Sequence, residues 1–303
     1  MSLDVVCFGA LNVDRLFMVD KIAKADEECF VTNFEEHPGG SAANTAVGLA
    51  RLGVKTGYIG KVAIDNEGRF LLQSLEREGV DTTGVVISEI GRSGVVMGYV
   101  DPKGERALYV APGVNNSLTS REVDPEYVSS AKFLHLTSFV GEEPFKAQIN
   151  LLENLPERVK VSLDPGHLYA SKGLEKLKPL IRRLFVFMPN ERELRAITGK
   201  GLYEGTEVLL EEGVKMVVVK LGKRGCYIND GEKSLHIKAY KVDVIDTTGA
   251  GDAFCAGFLY GLLKNKGLRE CGILGNFVAS RCITRMGARD GLPHLSELPS
   301  SLV

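Results

Sequence analysis

"DTTGAGDAF", Asp246 to Phe254, packs two carboxylates, two hydroxyls and two glycines into nine residues, and the apolar run "FCAGFLYGLL" overlaps its end. A helix that begins here begins on glycine. The first turn of any helix carries unpaired N–H groups and the positive end of the helix dipole. Gly249 and Gly251 let the backbone come close to an anion held there. Asp252 then lies beside that anion. A carboxylate set against negative charge serves binding poorly, but it suits a base that takes a proton from an attacking hydroxyl. A glycine-rich turn, with Asp252 as a first-turn capping residue, is the plainer alternative.

The surrounding segments alternate. After "AKFLHLTSF" come the strands "VKVSLD" and "RRLFVFMP", the helix "NERELRAITG", the segment "EVLLEEG", the strand "KMVVVKLG" and the hairpin "GCYINDGEKSLHI". Strand-like "KVDVI" then leads into two helices. Alternation of this kind predicts a mostly parallel sheet covered by helices, with ligands at the carboxyl ends of the strands. Nearer the start, "DVVCFGA" reads as a buried strand and "SAANTAVGLARLG" as a helix capped by Ser41 and stopped by Gly53. "KTGYIGKV" is strand-like, and "NEGRFLLQSLEREG" is an amphipathic helix ending at Gly79. "SGVVMGYVDPKGERALYVAPG" is a hairpin around Asp101–Gly104. The expected architecture is one α/β domain over 1–303, with a small β-sheet lid built from residues 11–36 and 94–111.

Three further strings carry chemistry. In "HPGGSAANTAVGLARLG", Gly39 and Gly40 precede a helix of small residues with Asn44 on its first turn. Close backbone and a side-chain amide suit a polyhydroxyl ligand; a tight turn into a close-packed helix is the alternative. In "MPNERE", Asn190 and Glu193 stand three apart at a helix start. They serve either as a capping box or as oxygen donors toward Mg²⁺. In "VVVKLGKRGCYI", Lys220, Lys223 and Arg224 crowd a glycine turn, which fits either a nucleotide phosphate or a solvated hairpin. No G-x-x-x-x-G-K-[ST] loop occurs, and no G-x-G-x-x-G joins a first strand to a helix, which argues against a nicotinamide dehydrogenase. The five histidines show no metal-ligand spacing.

The 303 residues are 44% hydrophobic and 25% charged, with a formal net charge of −2. That balance points to no nucleic-acid or acidic-membrane partner. No apolar run reaches the roughly 18 residues of a membrane span, and the start has no leader-like pattern. The six scattered cysteines read as buried thiols of a reducing, cytoplasmic compartment.

Together, "GGSAANTAVGLARLG" and "DTTGAGDAFCAGFL", about 200 residues apart with "PNERE" between them, resemble the two signatures of the PfkB, or ribokinase-like, family of carbohydrate and nucleoside kinases. The resemblance covers essentially the whole chain. It implies a central sheet flanked by helices, a β-lid over the acceptor, and transfer of a terminal phosphoryl group to an alcohol. Asp252 matches the family's base, and the amides of Gly249, Ala250 and Gly251 its anion hole. Asn12 and Asp14 of "GALNVD", with Gly40, Asn44 and Glu142 of "VGEEP", match acceptor positions. Asn190, Lys220, Gly222, Gly225 and Asn276 match nucleotide positions, and Glu193 the Mg²⁺ position. Asp246 and Thr248 match a monovalent-cation site, which raises K⁺ as a further cofactor. Three positions depart from the pattern. Lys220 stands where the family often has Thr or Ser, "GGSAAN" where ribokinases have "GGKGAN", and Gly291 where ribokinases can offer a Ser. The implied donor is ATP, with ADP and GTP left open. The implied acceptor is a sugar, a sugar phosphate or a nucleoside, and Lys103, Arg106 and His37 are candidates to meet a phosphate. A homodimer joined through the lids is expected. The competing reading is a nucleotide- or sugar-binding regulator on the same scaffold.

Overall fold

The computed structural model describes residues 2–300 and 302. In chain order its strands are β1 (Val5–Phe8), β2 (Asn12–Val19), β3 (Val31–Gly39), β4 (Thr56–Ala63), β5 (Val85–Ser88), β6 (Gly94–Val100) and β7 (Arg106–Ala111). They continue with β8 (Phe133–Thr137), β9 (Lys160–Asp164), β10 (Val186–Phe187), β11 (Met216–Lys220), β12 (Cys226–Asn229) and β13 (Ser234–Ile237). Nine of them form the main sheet in the order β13-β12-β11-β10-β9-β8-β1-β4-β5. It is parallel from β11 to β5 and ends in the antiparallel hairpin β12–β13.

Side chains alternate across each strand. Val5 and Cys7 therefore enter one core while Val6 and Phe8 enter the other, and Met216 and Val218 part from Val217 and Val219 in the same way. The helices are α1 (Ser41–Arg51), α2 (Asn66–Arg77), α3 (Pro125–Ser129), α4 (Glu142–Asn154), α5 (Gly166–Ala170), α6 (Gly173–Ile181), α7 (Glu191–Thr198), α8 (Leu202–Glu211), α9 (Ala250–Leu263) and α10 (Leu268–Cys282). Residues of α1, α2, α9 and α10 share the first core, and those of α3 to α8 the second. Burying one large apolar side chain in either core contributes about 1.5–3 kcal/mol. Helix α9 is buried on every side from Ala253 to Gly261. Its glycines allow this: a β-carbon on Gly257 would lie 2.5 Å from the carbonyl oxygen of Leu274 in α10.

The second sheet has the order β3-β2-β6-β7 and supplies the lid. Asp14 pairs with His37 and with Val96, and Val96 pairs with Val110, so these four share one lid face. Phe17, Phe34, Tyr99 and Tyr109 occupy the other face, where neighbouring rings lie 5.0–5.9 Å apart.

Two local expectations are corrected. Gly40, not Ser41, caps α1: its φ of 103° suits glycine, and a β-carbon there would meet the Ala10 carbonyl oxygen at 2.3 Å. "KVDVI" is not a strand. Val244 and Ile245 are exposed beyond the sheet, and Val242 and Val244 line a cleft instead. Among the described residues, no helix is long and apolar enough to cross a membrane.

Candidate active site

The polar residues gather where the parallel strands end. β1 runs into Ala10 and Asn12, β8 into Ser138, β9 ends on Asp164, β10 leads to Asn190, and β11 ends on Lys220. Three cavities follow one another along this edge. The first, of ≈ 400 Å³ under the lid, is lined by Asn12, Asp14, Gly40, Asn44, Asn115 and Asp252, with an apolar wall that includes Val96, Val110 and Leu168. The second, of ≈ 320 Å³, holds Asp164, Asn190, Glu193, Lys220, Gly251 and Asp252. The third, of ≈ 890 Å³, runs from Lys220, Gly222 and Gly225 past Tyr240, Val242 and Phe254 to Asn276. Asp252 lines the first two, and Gly251 lines all three.

Asp252 sits in the first turn of α9, after Gly249, whose φ of 74° opens the helix. Its Oδ2 accepts a 2.8 Å hydrogen bond from Asn44 Nδ2 in the first turn of α1. Asn44 Oδ1 accepts in turn from Arg289 Nε at 2.8 Å. A guanidinium only donates, so Arg289 sets which end of the Asn44 amide faces Asp252. Arg289 is itself buried and also donates to Ser74 Oγ (3.1 Å) and the Gly39 carbonyl (3.4 Å). Burial lowers its pKa to about 10. Burial first, and repulsion from Asp164 second, raise the pKa of Asp252 to about 7, against the opposing pull of Asn44, Lys220 and Arg289. Burial also raises Asp14 to about 6, opposed by Arg289 and His37.

In the second cavity Lys220 Nζ is bonded to Asp164 Oδ2. Burial opposes the lysine's charge, yet Asp164 outweighs it and holds the pKa above the ordinary lysine value. Asn190 and Glu193 form a reciprocal capping box on α7, at 2.8 and 2.9 Å, while both line the cavity. Burial, then Asp164, raises the pKa of Glu193.

The sequence profile described as pfkB family carbohydrate kinase matches residues 2–295 of the chain. The chain belongs to the pfkB family of carbohydrate kinases. It is thus a phosphotransferase of the carbohydrate-kinase class. It is 45% identical over 250 residues to an uncharacterised sugar kinase of Archaeoglobus fulgidus, covering 82% of this chain and 98% of that one. It is 33% identical to an ATP-dependent ribose-1-phosphate kinase of Halopiger xanaduensis, over 94% of this chain and 93% of that one. Its fold matches Arabidopsis thaliana ribokinase, solved with ribose and ATP, at a TM-score of 0.87 and 25% identity, over 98% and 97% of the two chains.

The rest of this carbohydrate kinase's expected residues are placed as follows. Asn12, Asp14, Gly40 and Asn44 meet in the first cavity with Gly249, Ala250 and Gly251. The Ala250 amide is already engaged, donating to the Thr247 carbonyl at 3.2 Å. Gly222 and Gly225, at φ 57° and 92°, turn the chain beside the third cavity. Asn276 faces that cavity too, but its amide nitrogen donates to the carbonyls of Ile237 and Lys238, both at 3.2 Å. Asp246 Oδ1 accepts from the Thr248 backbone N–H and hydroxyl, at 3.0 and 2.8 Å, and its Oδ2 accepts from the Gly287 N–H at 3.0 Å. Burial would raise its pKa, but those bonds hold it below the usual carboxylate value. Arg106 of the lid reaches to 3.6 Å from Asp246 Oδ1. Glu142 stands apart: it pairs with Lys172 and lines none of these cavities.

Three site residues escaped the sequence analysis. Arg289 orients Asn44, Asp164 holds Lys220, and buried Asn115 donates to Asn12 Oδ1 (3.2 Å) and the Leu11 carbonyl (2.7 Å). Of these only Asp164 carried a signal, as the last residue of the strand-like "VKVSLD".

Proposed function

We propose that this kinase transfers the terminal phosphoryl group of ATP to a hydroxyl of an uncharged polyol, a sugar or a nucleoside, with Asp252 as the base. The observation that carries this is the position of Asp252 at the junction of the lidded cavity and the channel leading to the large cleft. The acceptor hydroxyl enters from the lid side, where Asn12, Asp14 and Asn44 offer donors and acceptors. As its oxygen bonds to the terminal phosphorus, the bond from phosphorus to the bridging oxygen breaks and the nucleoside diphosphate leaves. The hydroxyl proton passes to Asp252. Phosphoryl transfer depends mostly on positioning and electrostatics. A base with a pKa of about 7 is half ionised at neutral pH and still accepts a proton readily. Gly249 and Gly251 open α9 toward the transferred group, where helix-start amides stabilise growing charge. Asn190, Lys220, Gly222 and Gly225 line the path of the phosphates. Tyr240, Val242 and Phe254 give the cleft an apolar wall for a base.

An uncharged acceptor is favoured because, among the described residues, no lysine or arginine lines the first cavity, while Asp14 and Asp252 do. His37 pairs with Glu35 at 3.1 Å, Arg106 turns to Asp246, and Lys103 sits in the exposed hairpin tip. Mg²⁺ fits the channel, where two carboxylates, Asp164 and Glu193, crowd one buried space. Glu193 would hold the ion, which when bound neutralises charge on phosphate oxygens. K⁺ fits Asp246 poorly, because N–H and O–H donors already engage both of its oxygens and a lid guanidinium stands beside it. A cytoplasmic setting suits six free thiols. A second copy covers the aromatic lid face, where Phe34 and Tyr109 are exposed; a monomer by light scattering at assay concentration rejects this dimer.

The test is a phosphoryl-transfer panel of free sugars, nucleosides and sugar phosphates, with ATP, ADP and GTP as donors. Turnover on a neutral acceptor with ATP is expected. Turnover confined to sugar phosphates overturns the acceptor class.

A further inference from the structure

Lys220 and Asp164 are an unusual pair to find buried. Their side chains are 13% and 9% exposed, and they close the ends of β11 and β9, the parallel strands on either side of the short β10. Taking two opposite charges out of water rarely stabilises a fold, and well-packed apolar residues often do as well. This pair is not sealed, however. Both members line the channel, and Lys220 also lines the cleft. A β-carbon added to Gly251 would lie 3.3 Å from Lys220 Nζ and 3.9 Å from Asp164 Oδ2. The ammonium is therefore held against the first turn of α9, next to the base. The carboxylate that holds it is tethered on other sides: Cys255 Sγ of α9 donates to Asp164 Oδ2 at 3.5 Å, and the Gly166 N–H reaches Oδ1 at 3.4 Å.

We propose that Lys220 is the cation that meets the phosphoryl group in flight, and that Asp164 is the residue that positions it. The proposal rests on the phosphotransfer reading above and goes beyond nucleotide binding as the role of Lys220. A flexible lysine is a poor fixed charge on its own. Anchored by Asp164, its ammonium stands ready beside Gly251, which lines all three cavities, so little reorganisation is needed as charge shifts onto the transferred oxygens. No bond to Lys220 forms or breaks, and Asp252 alone takes the proton.

The test compares Lys220→Met, Asp164→Asn and the double variant by steady-state kinetics over pH, with thermal denaturation alongside. Lys220→Met lowers kcat at saturating ATP by roughly 10²–10³, as loss of a donor to transition-state charge does. Asp164→Asn lowers it by roughly 10–100, as loss of a supporting partner does. The single variants also move the acid limb of kcat/KM in opposite directions. Asp164→Asn removes a repelling carboxylate from Asp252 and shifts the limb down; Lys220→Met removes an attracting charge and shifts it up. The other groups that bear on the site stay in place: Cys255 on α9, Glu193 on α7, His135 on β8, and Arg289. The double variant buries no unpaired charge and keeps its melting temperature, so its loss of kcat is not a folding defect. Three results overturn the proposal: a loss confined to the KM for ATP, a limb that does not move, or a double variant with wild-type kcat. Absence of phosphoryl transfer by the wild-type enzyme instead defeats the kinase reading beneath it.

Discussion

Asn44 is the sharpest place to perturb the base without touching it. Its Nδ2 donates to Asp252 Oδ2 at 2.8 Å, and Arg289 holds the amide in that orientation. Asn44→Ala removes the donor. A hydrogen bond to a charged group is worth about 1.5–3 kcal/mol, which at 1.36 kcal/mol per unit is about one to two pH units. The donor favours the ionised form, so its loss raises the pKa of Asp252. Starting from about 7, the acid limb of kcat/KM moves to about 8–9. At pH 7 the rate constant falls roughly 5- to 50-fold from ionisation alone, and raising the pH recovers most of that loss. The assay is nucleoside diphosphate release from about pH 5.5 to 9.5, with acceptor well below KM. If the limb stays where it is in the wild-type enzyme and the rate falls by one factor at every pH, Asn44 does not tune the base.

Other expectations concern stability and the lid. The folded-state pKa of Asp252 lies above the ordinary aspartate value of 3.8, so its ionisation opposes folding, and stability is lost as pH rises from about 4 to about 7. Asp252→Asn should therefore melt higher than wild type at pH 8, by up to about 4 kcal/mol, with the difference gone near pH 4. Gly249→Ala forces a side chain onto a φ of 74° and sets its β-carbon 2.6 Å from Ala288 Cβ; it should cost at least about 1–2 kcal/mol in thermal denaturation and disturb the loop that carries Arg289. Arg106→Ala unties the lid from Asp246. It should raise the acceptor KM by up to about fivefold and leave the ATP KM nearly unchanged, because a 3.6 Å pair whose guanidinium is half-exposed contributes little.

The elements were legible where the backbone imposes its own demands. Gly40 and Gly249 stand at positive φ before helices, and the strings around them marked both helix starts. The alternation of strands and helices after Phe133 implied the parallel sheet, since crossovers need helices. What stayed hidden depends on proximity across the fold. Asn44 and Asp252 are 208 residues apart, and Arg289 is 245 from Asn44. Nothing in "MGARDG" announces that its arginine is buried and aimed at an amide. Lys220 was visible as a basic residue at a glycine turn, but its partner Asp164 lies 56 residues earlier on β9, two strands away across β10. "KVDVI" misled for a physical reason: an apolar run lining a cleft has the same composition as one lining a sheet. Asn190 and Glu193 supported both of their interpretations, because a capping box leaves the same two side chains facing the channel.

The most direct measurement is phosphoryl transfer by wild-type enzyme and Asp252→Asn on the best neutral acceptor, with ATP affinity measured separately by calorimetry. With Asp252 as base, the variant loses roughly 10²–10⁴ in kcat and still binds ATP. Near-wild-type turnover by Asp252→Asn would contradict that role and move the chemistry away from the junction of the cavities.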